Sequence, residues 1–129
     1  MSNKQKVKFK DIIKGDKPVL VDFYATWCGP CKQLSPIVNS VKNDLKGKMK
    51  VIKVDVDKKK TVSNKYNIKS LPTLAIFQNG KIIWRESGLK TKTQLLAITN
   101  QFIEQPTADK ADNTTGTVKK KSWFSKLFQ

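Results

Sequence analysis

The chain contains no histidine, two cysteines, and a single arginine, Arg85, among its 26 basic residues. Each shortage narrows the function. Zinc and iron-sulfur sites draw four nitrogen or sulfur ligands, so this cysteine pair could complete one only with carboxylates or a second chain. No metal site is therefore expected. Base readout and bidentate phosphate contacts lean on arginine. The formal charge of +16 thus reads as a lysine-rich solvated surface, and no specific nucleic-acid partner is expected, although such a field attracts anionic surfaces in general. No apolar run reaches membrane-spanning length. The start Met1-Ser2-Asn3-Lys4-Gln5-Lys6 leads into further polar residues rather than a signal-peptide core, and a cytoplasmic location is the expectation. In a reducing compartment a lone cysteine pair suits catalysis or metal binding better than a structural staple.

What is present reads as one domain over residues 1–105, a flexible linker over 106–118 and a basic amphipathic tail over 119–129. Val19-Leu20-Val21 with Phe23-Tyr24 suits a strand buried on both faces. Leu34, Ile37, Val38, Val41 and Leu45 recur at helical spacing after Pro30, with Pro36 inside the pattern. Val51 to Val56 predicts a second strand and Thr61 to Tyr66 a short helix. Leu74 to Phe77 and Ile82 to Trp84 flank Asn79-Gly80, a strong signal for an antiparallel hairpin. A last helix from about Thr91 to Glu104 places Leu95, Leu96, Ile98, Phe102 and Ile103 toward the sheet. An element of undecided type lies around Val7 to Ile13. The order predicts an α/β fold with a mixed sheet and helices on both faces.

The chemistry concentrates in Trp27-Cys28-Gly29-Pro30-Cys31-Lys32. Two thiols three residues apart can close into a small disulfide ring and reopen. Cys28 falls at or just before a helix start, where unsatisfied N–H groups and the dipole favour a thiolate. Cys31 falls one turn inside, on the same face, within reach of a mixed disulfide at Cys28. Asp22 is the odd residue in its apolar strand. Facing inward, it would have a raised pKa and could accept a proton from Cys31, with Lys53 on the next strand moderating the shift. The alternative is the exposed face of an edge strand, which the apolar composition argues against.

With these residues in view, the chain resembles the thioredoxin family from residue 7 to about 105. The resemblance rests on Trp27-Cys28-Gly29-Pro30-Cys31-Lys32 after Val21-Asp22-Phe23, and on the distant Ile68-Lys69-Ser70-Leu71-Pro72-Thr73-Leu74. It implies the thioredoxin fold, with four or five strands. Pro72 then follows a cis peptide bond beside the disulfide. Leu71 and Thr73 border a groove that takes an extended substrate by strand addition, with main-chain bonds giving affinity across many sequences. Trp27 matches the tryptophan beside the nucleophile, though it also reads as an ordinary half-buried aromatic. Gly88 matches a glycine that lets substrate approach, and Gly29-Pro30 goes with a reducing potential. Two departures stand out: Tyr24 replaces a frequent tryptophan, and the short polar segment before Phe9 leaves the usual first strand truncated or absent.

The resemblance further implies a monomeric reductase of protein disulfides, with no bound cofactor. Its reversible Cys28–Cys31 disulfide would be recharged by thioredoxin reductase with electrons from NADPH. Lys119 to Phe128 lie outside it. There Trp123, Phe124, Leu127 and Phe128 would share one face of a helix beside four lysines, a composition suited to an anionic membrane surface, with docking on a protein or an inert, self-packing tail as alternatives. The alternatives are a reductant held at a membrane for one pathway, and a non-catalytic binding module on the same fold.

Overall fold

Val19–Tyr24 forms β1, the strand around which everything else is arranged. In the computed structural model, which describes residues 7–103, β1 pairs in parallel with β2 (Lys50–Asp55) and antiparallel with β3 (Thr73–Gln78). The strand β4 (Lys81–Ser87) closes the other side of β3, giving the order β2-β1-β3-β4. The sheet is therefore mixed and, among the described residues, four-stranded. The two central strands carry near-continuous apolar runs because both of their faces are covered.

Alternation along β1 sorts its side chains to two cores. Leu20 joins Val51, Leu74 and Ile76 against α2 (Gly29–Leu45) and α4 (Lys92–Ile103), where Leu34, Val38, Val41, Leu45, Leu95 and Phe102 are buried. Val19, Val21 and Phe23 face the opposite side, covered by α1 (Phe9–Ile13) and α3 (Lys60–Lys65). Asp22 shares the α2 side with Leu20. Helix α2 runs on through Pro36 and ends at Lys46 in the left-handed conformation. Thr99, a polar residue in the buried stripe of α4, satisfies its hydroxyl on the Leu96 carbonyl at 3.1 Å.

Asn79 and Gly80 both have positive φ, 53° and 80°, and join Gln78 to Lys81 in a two-residue hairpin loop. This is the geometry the Asn-Gly signal specifies. The hairpin also anchors the N-terminal segment. Asn79 N–H donates to the Gly15 carbonyl and Gly80 N–H to that of Ile13, each at 2.8 Å, while Gln78 Nε2 donates to the Asp16 carbonyl.

Before β1 the chain forms the short helix α1 in place of a strand. Phe9 holds it down, with ring centroids 6.3 Å from Phe23, 5.9 Å from Tyr66 and 5.4 Å from Phe77. These rings come from β1, β3 and the end of α3, so one aromatic residue ties three elements together. The domain boundary expected at 105, the linker over 106–118 and the tail over 119–129 lie outside the described residues.

Candidate functional site

The end of β1 delivers the chain to the N-terminus of α2, and the two cysteines sit at that junction. Cys28 is the N-cap in an extended conformation, and Gly29 and Pro30 open the helix, where a missing proline N–H costs nothing. Cys31 lies one turn on. The two are joined as a disulfide with Cα atoms 5.3 Å apart. Cys28 Sγ accepts the Cys31 N–H at 3.1 Å, so an orphan donor of the helix terminus is aimed at this sulfur. Both sulfurs are largely enclosed, at 5% and 3% residue exposure, by Ala25, Tyr24, Val56 and Leu71.

Asp22 is buried at 1% exposure, and neither of its carboxylate oxygens has a hydrogen-bond partner among the described residues. Burial pushes its pKa up to about 6, against the opposing pull of the Lys53 cation. Asp22 and Lys53 are register partners across the parallel β1 and β2 pair, which puts both on the α2 side. They line a cavity of about 290 Å³ together with Cys31, Tyr24, Ala25, Thr26, Lys32 and Ser35. The inward reading of Asp22 thus holds, and it opens into the same space as the inner cysteine. Lys53 reaches solvent and donates to Ser35 Oγ.

The second motif meets the first across the site. The Leu71-Pro72 peptide is cis, and Leu71 packs on the cluster containing both cysteines. Among the described residues, the Leu71 N–H and carbonyl have no backbone partner, which leaves one residue of strand edge unpaired beside the disulfide. Thr73 is fully buried. Its hydroxyl donates to the Ser70 carbonyl at 2.7 Å and lies 2.9 Å from Ser87 Oγ, so its side chain is satisfied within the fold. Gly88, at φ 104°, donates its N–H to the Pro72 carbonyl at 2.9 Å and thereby fixes the loop. A Cβ at this position would meet open space, so backbone conformation is what demands glycine there.

Trp27 is 69% exposed, which removes the alternative of an ordinary half-buried aromatic. Its indole Nε1 donates to Asp57 Oδ2 at 2.9 Å. Asp57 was not singled out from the sequence, nor was Ser35. The signal for Asp57 was the parallel pairing itself: Tyr24 and Asp55 end their strands side by side, so the residues just beyond them meet. Leu89, 47% exposed, follows Gly88, whose N–H is bonded to the Pro72 carbonyl.

A family model described as Thioredoxin matches residues 1–101. The thioredoxin of Rickettsia felis is 44% identical over 94 residues, covering 73% of this chain and 90% of that protein. Thioredoxin Y1, chloroplastic, of Arabidopsis thaliana is 47% identical over 89 residues, covering 68% of this chain and 52% of that protein. Among solved structures, the thioredoxin of Malassezia sympodialis superposes with a TM-score of 0.69 at 35% identity, covering 74% of this chain and 83% of the other. The likeness and the redox-active cysteine pair together make the protein a thiol-disulfide oxidoreductase that reduces protein disulfides, and the binding-module alternative is not favoured. Because the matches run through nearly all of the folded chain and most of the bacterial relative's length, the chain belongs to the thioredoxin family.

Proposed function

We propose that Cys28 is the attacking thiolate and Cys31 the resolving thiol, with Asp22 as proton acceptor. In the reduced protein, Cys28 Sγ attacks one sulfur of a substrate disulfide, forming a mixed disulfide and expelling the other substrate sulfur as a thiolate. Cys31 then loses its proton to Asp22, and its thiolate attacks Cys28 Sγ. The S–S bond to substrate breaks, the second substrate sulfur leaves as a thiolate, and the Cys28–Cys31 disulfide remains. Substrate gains two electrons and the cysteine pair loses them. The observation that carries this assignment is the asymmetry of the pair: Cys28 Sγ is the helix N-cap, whereas Cys31 lines the Asp22 cavity.

Substrate is held by Leu71 main-chain groups in strand addition, with Trp27, Gly29, Pro30, cis-Pro72, Thr73 and Gly88 shaping the groove. An unpaired backbone edge recognises geometry more than sequence, which supports a broad range of disulfide-containing proteins. Family membership implies such substrates and a reductase partner. For this chain the partner is thioredoxin reductase, passing electrons from NADPH, with no cofactor bound to the chain itself.

The domain works as a monomer over residues 1–105 in the cytoplasm, and the linker over 106–118 lets the tail over 119–129 rest on the inner face of a membrane. Among the described residues, no helix is long and apolar enough to cross a membrane. Support for surface contact is the clustering of Lys119, Lys120, Lys121 and Lys126 with Trp123, Phe124, Leu127 and Phe128. Anionic vesicles should retain the full chain and release a variant lacking 119–129; equal partitioning of the two would remove the tether.

The active-site assignment is tested by insulin reduction. Cys28→Ser should abolish turnover, and Cys31→Ser should accumulate a mixed disulfide released by dithiothreitol. Turnover that survives in Cys28→Ser contradicts the assignment.

A further inference from the structure

Ser35 stands four residues after Cys31, one turn further along the face of α2 that looks into the Asp22 cavity. Its hydroxyl accepts a hydrogen bond from Lys53 Nζ. Lys53 is the register partner of Asp22, and both side chains line the same cavity, yet the two make no ion pair: both Asp22 oxygens are without a hydrogen-bond partner among the described residues. A long, flexible ammonium beside a buried unpaired carboxylate would ordinarily swing onto it. Something holds it off, and the described contact of Nζ is Ser35.

We propose that Ser35 is a positioning residue: it holds the Lys53 ammonium at the mouth of the cavity, keeps it from pairing directly with Asp22, and so leaves that carboxyl free to take up a proton. A charge held near the mouth and a charge in contact act on Asp22 very differently. At the mouth, Lys53 only tempers the upward push of burial, and the carboxyl stays at about 6. In direct contact it would stabilise the carboxylate, returning Asp22 toward ordinary carboxylate behaviour and weakening it as an acceptor for the Cys31 proton. The other groups facing Asp22 leave this role to Lys53. Tyr24 comes from β1, and Cys31 and Lys32 from α2. From β3 the residue opposite is Leu74, which is apolar. Lys32 is the second cation of the cavity wall and serves as the control.

The inference deepens the proposed role of Asp22 and rests on it only for its kinetic consequence. The Asp22 carboxyl is titrated by carbon NMR in the oxidised full-length protein, a readout that needs no activity. Ser35→Ala should lower the Asp22 midpoint by about one pH unit or more. Ser35→Thr, which keeps the hydroxyl, should leave the midpoint near that of the unmodified protein. The Ser35→Ala shift should vanish in a Lys53→Met background and persist in a Lys32→Met background. An unchanged midpoint in Ser35→Ala, or a fall that survives in Lys53→Met, overturns the proposal. The pH profile of mixed-disulfide resolution is then measured for Ser35→Ala. A profile that moves with the midpoint supports both roles, while one that stays put despite a shifted midpoint leaves the hold of Ser35 on Lys53 intact and removes Asp22 as the proton acceptor.

Discussion

Trp27 and Asp57 are tied by a 2.9 Å hydrogen bond across 30 residues of sequence, which fixes an exposed indole beside the disulfide. Exposed, an indole without a partner would sample several rotamers. The bond holds it as a rigid wall of the groove. Asp57→Ala should therefore lower the efficiency of insulin reduction about 2- to 10-fold, the worth of one hydrogen bond of about 0.5–1.5 kcal/mol. Asp57→Asn keeps an acceptor oxygen and should recover most of the loss. Trp27 anisotropy should fall in the alanine variant, and an unchanged anisotropy with unchanged kinetics would show the bond to be incidental.

Asp22 costs stability wherever it is ionised. Its folded pKa of about 6 lies above its ordinary value of 3.8, so the folded state binds the proton more tightly than the unfolded state. Stability contributed by this group is accordingly complete below pH 3.8 and is lost as pH rises through about 6. The loss is at most about 3 kcal/mol on the scale of 1.36 kcal/mol per pKa unit. Asp22→Asn should raise the urea midpoint of the oxidised protein at pH 8 and change it little at pH 4. Equal effects at the two pH values contradict the assignment.

Phe9 is the fastening of α1. Phe9→Ala removes a ring shared with Phe23, Tyr66 and Phe77 and should destabilise the fold by about 3 kcal/mol, at the lower end for burial of an aromatic because the ring is only partly enclosed. Urea denaturation measures it. Insulin reduction under native conditions should persist, since Phe9 lies on the side of the sheet opposite the Asp22 cavity.

Arg85 closes the end of α3 onto β4. Its Nη1 donates to the Tyr66 carbonyl at 2.6 Å and its Nη2 to the Asn67 carbonyl at 2.7 Å. The guanidinium meets the two carbonyls with two donors of one rigid planar fork, a fixed geometry that a flexible ammonium lacks. Arg85→Ala should cost about 1 kcal/mol, discounted for exposure, and Arg85→Lys should recover less than half of it. Faster amide exchange at Ile68, which follows the clamp, should accompany both variants. A fully restorative lysine would show charge, rather than the fork, to matter.

The parts legible in the sequence are those governed by local chemistry or simple period. The helical face from Leu34 to Leu45, the Asn79-Gly80 hairpin and the buried Asp22 all follow from spacing, turn preference or a polar residue in an apolar strand. The cis peptide at Pro72 was reached through family resemblance, and the structure has it. What spacing does not contain is which distant groups meet. Phe9 finds its partners on three other elements, so nothing in Phe9-Lys10-Asp11-Ile12-Ile13 announced an aromatic keystone or decided helix against strand. Thr99 sits in a buried stripe read as Leu95, Leu96, Ile98, Phe102 and Ile103, because its hydroxyl satisfies itself on its own helix. Ser35 and Asp57 gain meaning only from the lysine and the indole that other strands bring to them.

The hairpin tip that receives the N-terminal segment has a bearing on how the chain is made. Gln78 and Asp16, joined in the finished molecule, are 62 residues apart. During synthesis α1 therefore leaves the ribosome well before the hairpin it is bonded to, and the packing of Phe9, begun on Phe23 and Tyr66, is completed only when Phe77 of β3 has emerged. The bonds from the hairpin to Ile13, Gly15 and Asp16 are therefore among the last to close, and lysines such as Lys8, Lys10 and Lys14 keep the segment around α1 hydrated until then.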